Sequence, residues 1–106
     1  MLEFIETPTF TKLVLRWLDD DEYASMQNYL ATRPDAGSLI RGGGGLRKLR
    51  WAGSGRGKRG GLWIIYYWQT DQGQIWMLLA YPKNESDDLS REQVGQLKEF
   101  IEELKS

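Results

Sequence analysis

Residues 62–81 read LWIIYYWQTDQGQIWMLLAY. Leu62 to Trp68 and Ile75 to Tyr81 are rich in Ile, Tyr, Trp and Leu on both faces, the composition of central strands covered on at least part of each side. Thr70-Asp71-Gln72-Gly73 joins them as a hairpin turn. An antiparallel hairpin therefore stands at the middle of a sheet, and the flanking elements must supply its cover. Upstream, Leu46 to Ala52 alternates, with Leu49 and Trp51 pointing one way and Lys48 and Arg50 the other. The two cations thus share a sheet face.

The cover comes from three helical patterns. Met1 to Glu6 is short and loosely alternating, a first strand. Thr7-Pro8 then gives an N-cap and a helix-compatible first position, and Phe10, Leu13, Val14 and Trp17 form one apolar face. Asp19-Asp20-Asp21-Glu22 sets acids where a second helix begins, with Tyr23, Met26 and Leu30 along its inner face and Pro34 beyond its end. After the hairpin, Ser90 and Gln93 make a capping box ahead of Val94, Leu97, Phe100, Ile101 and Leu104. The order is β-α-α-β-β-β-α, an α+β domain with helices on a small, mostly antiparallel sheet. At 106 residues the chain is one domain.

Composition narrows the chemistry. The chain has no cysteine, which excludes disulfide scaffolds and thiolate metal sites, and no histidine, the commonest general base. Apolar residues at 41% argue for a folded protein rather than a disordered basic tail. MLEFIETPTF lacks the basic and apolar regions of a leader, and no segment reaches membrane-spanning length, so a cytoplasmic protein without membrane attachment is expected.

Charge is distributed unevenly. Net charge is only −1, yet residues 41–61, RGGGGLRKLRWAGSGRGKRGG, carry seven positive charges and no negative one, leaving −8 for the rest. Such asymmetry is a footprint for a polyanion, nucleic acid first. The Gly42 to Gly45 run is not a phosphate loop, because no GK[ST] follows and a strand comes next. Arg41, Arg47, Arg56 and Lys58 are candidate RNA contacts; the alternative for the 53–61 loop is a solvated hairpin connection. Cleavage of RNA by its own 2′-OH needs proton removal, stabilisation of a pentacovalent phosphate and protonation of the leaving oxygen, and none of these demands a metal. Clustered cations serve these steps: a lysine among like charges has its pKa lowered, and Arg50 and Arg59 match phosphate oxygens in pairs. For Lys48 and Arg50 the alternative is an outward polar sheet face. Trp51, Trp63, Tyr66, Tyr67, Trp68, Trp76 and Tyr81 are candidates to stack bases or, for most of them, core residues.

The stretch GGLRKLRWAGSGRGKRGGLWIIYYW, the following hairpin, Lys83-Asn84-Glu85 and the Ser90-led helix together resemble the HigB branch of the RelE/ParE-like toxin superfamily, over nearly the whole chain. The resemblance implies the RelE-like fold and a toxin of a type II toxin–antitoxin pair: a metal-independent, ribosome-dependent mRNA endonuclease, or mRNA interferase, that inhibits translation and needs no cofactor. It implies a cognate helix-turn-helix antitoxin, the ribosome and mRNA as partners, with DNA met only through the antitoxin. Lys48 and Arg50 match the family's paired basic positions, and Lys83, Asn84 and Glu85 fall beside the cleft. Many RelE-type nucleases carry an arginine at the start of the third strand, where this chain has Trp63; Arg59 is the nearest replacement. A tyrosine some relatives place after the fourth strand is also absent, and Tyr81 is the nearest phenol. Two other readings remain open at this level: a module that binds ribosomal or other RNA without cleaving it, and a gyrase inhibitor of the ParE type.

Overall fold

The two apolar runs occupy the middle of a five-stranded sheet. The computed structural model describes residues 2–52, 61–83 and 88–105. Its elements are β1 (Glu3–Glu6), α1 (Pro8–Trp17), α2 (Asp20–Thr32), β2 (Ser38–Leu39), β3 (Leu46–Trp51), β4 (Leu62–Gln69), a 3-10 turn (Thr70–Gln72), β5 (Gln74–Pro82) and α3 (Arg91–Lys105). The sheet order is β1-β5-β4-β3-β2. Only β1 runs parallel to its neighbour; the other described pairs are antiparallel. The fold class is therefore α+β with a mostly antiparallel sheet, as the pattern implies. The two-residue edge strand β2 is an addition to it.

Local chemistry starts each helix where the sequence places it. The Thr7 hydroxyl accepts from the Phe10 N–H at 3.1 Å, with Pro8 in the first turn. Asp19 and Glu22 form a reciprocal capping box, at 2.8 and 3.1 Å. Ser90 and Gln93 form another, at 3.1 and 2.9 Å. Between β4 and β5 the turn closes through Gly73, whose φ of 62° is a left-handed conformation that glycine adopts without a Cβ clash.

Both sheet faces are covered, which explains why β4 is apolar throughout. Leu62, Ile64 and Tyr66 pack with Phe10, Val14, Met26 and Leu30 beneath α1 and α2. Ile65 and Tyr67 pack with Leu46, Leu78 and Ile101 beneath α3. Each fully buried side chain of this size contributes about 1.5–3 kcal/mol, so neither layer is dispensable. On β5 the register steps from Tyr66↔Met77 to Ile65↔Leu79, which leaves Leu78 as an extra residue. This bulge reverses the alternation: Ile75, Met77 and Ala80 face α1 and α2, whereas Leu78 faces α3. The Leu78 carbonyl accepts from the Thr7 hydroxyl at 3.1 Å, tying the start of α1 to the bulge.

Tyr66 fastens the connection between α2 and β2. Its buried hydroxyl accepts from the Gly37 N–H at 2.8 Å and donates to the Pro34 carbonyl at 2.9 Å. A Cβ at Gly37 would lie 2.8 Å from the Tyr66 ring, so glycine permits the approach. Tyr66→Phe should cost about 1–3 kcal/mol, because it strands a buried N–H. A urea unfolding curve measures it; an unchanged midpoint would show that Gly37 is satisfied in another way.

Candidate functional site

Strand β3 divides its charges between two faces. Leu46 packs under α3, whereas Leu49 packs on the α1–α2 side with Trp51 beside it. Lys48 and Arg50 therefore share the α3 face with Leu46, as the alternation predicts. Register sets Arg50 opposite Trp63, and Trp63 opposite Tyr81. These three residues form a row across β3, β4 and β5.

Lys48 stands over that row. Its Nζ lies 4.9 Å from the Trp63 ring centroid and 3.4 Å from Asp88 Oδ1. The Lys48 side chain is 26% exposed and that of Asp88 67%, so the ion pair contributes about 0–1 kcal/mol at most. Its effect is orientation: ring and carboxylate hold the ammonium at one place over the sheet. Beneath it, Trp63 Nε1 and the Tyr81 hydroxyl are buried without a hydrogen-bond partner among the described residues. Two buried donors without such a partner are costly to the fold.

Burial, and secondarily the negative charge of Asp88, push the Tyr81 phenol up to about 12. The phenol is thus a neutral donor throughout the physiological range. Because the folded pKa exceeds the unfolded value near 10, the unfolded chain loses this proton first. Tyr81 therefore contributes stability below pH 10, and the contribution is lost as pH rises from about 10 to about 12. In an alkaline absorbance titration Tyr81→Phe should abolish a late phenolate transition, and Asp88→Asn should move that transition to lower pH. A transition that ignores Asp88 would contradict the placement.

A cleft of about 650 Å³ opens beside Lys48, between the turn that joins β2 to β3 and the first half of α3. Arg41, Lys48, Arg91 and Lys98 line it, against the carboxylate of Asp88. The Gly42–Gly45 run forms the turn, with positive φ at Gly42, Gly44 and Gly45. It docks on α3 through Lys105 Nζ, which donates to the Gly44 carbonyl at 3.3 Å.

The sequence candidates divide accordingly. Lys48, Arg50 and Tyr81 come together on one face, with Arg41 at the adjoining cleft. Arg47 does not join them: its Nη1 donates to the Gly37 carbonyl at 2.8 Å and the Asp35 carbonyl at 3.2 Å, on the α1–α2 side. Lys83 follows β5, with its N–H bonded to the Gly61 carbonyl at 3.0 Å. Arg56, Lys58, Arg59, Asn84 and Glu85 lie outside the described residues. Of the aromatic candidates, Tyr66 is core, Trp51 packs on Tyr29 with centroids 5.9 Å apart, and Trp76 packs edge-on against Phe100 at 5.7 Å.

Sequence reasoning missed Asp88, Arg91 and Lys98. Arg91 and Lys98 are seven apart on α3, hence on one helix face, a spacing visible in the sequence once the opposite wall is known to be basic. Among the described residues no helix is long and apolar enough to cross a membrane.

No protein-family model matches the chain. Among solved structures it is similar to a chain of the intact E. coli RelBE toxin–antitoxin complex, with a TM-score of 0.56 and 14% identity. The match covers 76% of this chain and 94% of the other. The likeness shows that this chain has the RelE-like fold.

Proposed function

We propose that the protein is the toxin of a type II toxin–antitoxin pair, of the HigB branch, and that it cleaves mRNA on the ribosome without a metal. The observation that carries the reading is Lys48, held over Trp63 and beside Asp88 at the mouth of a basic cleft on a RelE-like sheet. In-line attack by a 2′-OH on the adjacent phosphate releases the 2′ proton to water, forms the bond from the 2′ oxygen to phosphorus and breaks that to the 5′ oxygen, leaving a 2′,3′-cyclic phosphate; charge develops on the phosphorane oxygens and on the leaving 5′ oxygen. Lys48 and Arg50 are the cations for the first, and the Lys48 ammonium is the proton donor for the second. Asp88 positions Lys48, and the Tyr81 hydroxyl is a neutral donor to a phosphate oxygen. Arg59, Lys83, Asn84 and Glu85 keep the catalytic assignment given them from the sequence, and Arg56 and Lys58 that of RNA contacts, whereas Arg47, tied to the Gly37 and Asp35 carbonyls, leaves that set. The partners that go with this reading are a helix-turn-helix antitoxin, the ribosome and mRNA, in the cytoplasm.

Trp63, where relatives carry a phosphate-binding arginine, favours a second reading: a module that occupies ribosomal RNA without cutting messages. Primer extension on messages in a translating extract separates them. New 5′ ends within codons support the nuclease; stalled translation on intact messages supports the binding module. DNA damage with neither would point to gyrase instead.

A further inference from the structure

We propose that the cleft between the β2–β3 turn and α3 is a second phosphate subsite for single-stranded RNA, in which Arg41, Arg91 and Lys98 hold backbone phosphates flanking the one at Lys48. The proposal rests on RNA being the ligand of this face, but not on its being cut.

Three observations converge on it. First, the cleft is continuous with Lys48, which lines it together with Arg41, Arg91 and Lys98. A strand bound at Lys48 can continue along α3, where Arg41, Arg91 and Lys98 flank its path. Second, these cations come from two segments far apart in sequence: Arg41 and Lys48 from the 41–61 run, Arg91 and Lys98 from α3. Their convergence is a property of the fold rather than of one basic run. Third, the turn lies close against α3 at Lys98: a Cβ on Gly44 would stand 3.2 Å from Lys98 Cγ and 3.5 Å from Glu102 Oε1. With φ of +68° Gly44 lets the turn approach α3 closely, which sets the turn that carries Arg41 beside the exposed Lys98.

Asp88 lines the same cleft beside Lys48. Its carboxylate occupies the ammonium until a phosphate arrives, so it opposes RNA binding while keeping Lys48 oriented.

The test measures binding of a fluorescein-labelled ten-nucleotide oligouridylate to the full chain over a salt series. Arg91→Ala and Lys98→Ala are each expected to weaken binding about ten-fold, the loss typical of one charge-assisted contact. Each should also reduce the slope of log K against log salt by about 0.7. Asp88→Asn should tighten binding. Lys12→Ala, at an exposed position on α1, controls for net charge and should change the affinity little. Equal thermal melts confirm that the variants are folded. Wild-type affinity and slope in both α3 variants would overturn the subsite, as would a loss in Lys12→Ala as large as theirs. The outcome separates from that of the nuclease reading: a chain that never cuts messages but loses RNA through Arg91 and Lys98 keeps the subsite. A nuclease dependent on Lys48 but indifferent to both α3 cations refutes only the subsite.

Discussion

Lys48→Ala is expected to lower mRNA cleavage on ribosomes by about 10²–10⁴-fold, the range that one positioned acid or base contributes, and to relieve growth arrest. The fold should survive, because the exposed ion pair with Asp88 carries about 0–1 kcal/mol. Primer extension yield together with a thermal melt measures both sides. Lys48→Arg sharpens the result. A guanidinium keeps the positive charge and hence RNA affinity, but does not give up a proton near neutrality, so cleavage should remain low while binding recovers. Full cleavage by both Lys48→Ala and Arg50→Ala at equal expression would remove β3 from the catalytic surface. Full cleavage by Lys48→Arg would restrict Lys48 to electrostatic support.

Trp63→Ala is expected to cost about 3 kcal/mol, since it takes a large ring from the central strand β4. It should also reduce cleavage, because the Lys48 ammonium loses the ring 4.9 Å away. Trp63→Phe separates the two effects. Phenylalanine keeps an aromatic face under Lys48 and removes the buried Nε1 that has no partner among the described residues, so stability and cleavage should both stay near those of the parent. Thermal unfolding and cleavage rate are measured on the same preparations. If Trp63→Phe loses cleavage while remaining stable, the indole N–H itself contacts RNA. Trp63→Arg then asks whether a guanidinium at this position adds a phosphate ligand: the expected sign is faster cleavage at lower stability, since Lys48 and Arg50 are already close and positive.

What could be read from the sequence was what depends on neighbours in sequence. The caps at Thr7, Asp19 and Ser90 are contacts within a turn, and the chain states them outright. The alternation that puts Lys48 and Arg50 on one face needs only strand geometry. Long-range returns of the chain were not legible. Ser38–Leu39 carries no periodicity, and becomes a strand because β3 offers it an edge. The Leu78 bulge is masked by an apolar run that suits either face. Arg47 looks like its basic neighbours until the 34–37 connection brings two carbonyls to its guanidinium. Arg91 and Lys98 read as solvated helix charges, because the wall they face is some fifty residues away.

The parallel pairing of β1 with β5 sets a timetable for synthesis. Residues bonded across it, such as Glu3 and Gln74, are 71 positions apart in the chain. At about 5–20 residues per second, β1 waits roughly 4–14 s for its partner strand to be made. Closing so long a loop gives no return until β5 is present, so the sheet edge assembles late, and α3, one wall of the cleft, emerges later still. The cleft is therefore among the last features of the fold to form.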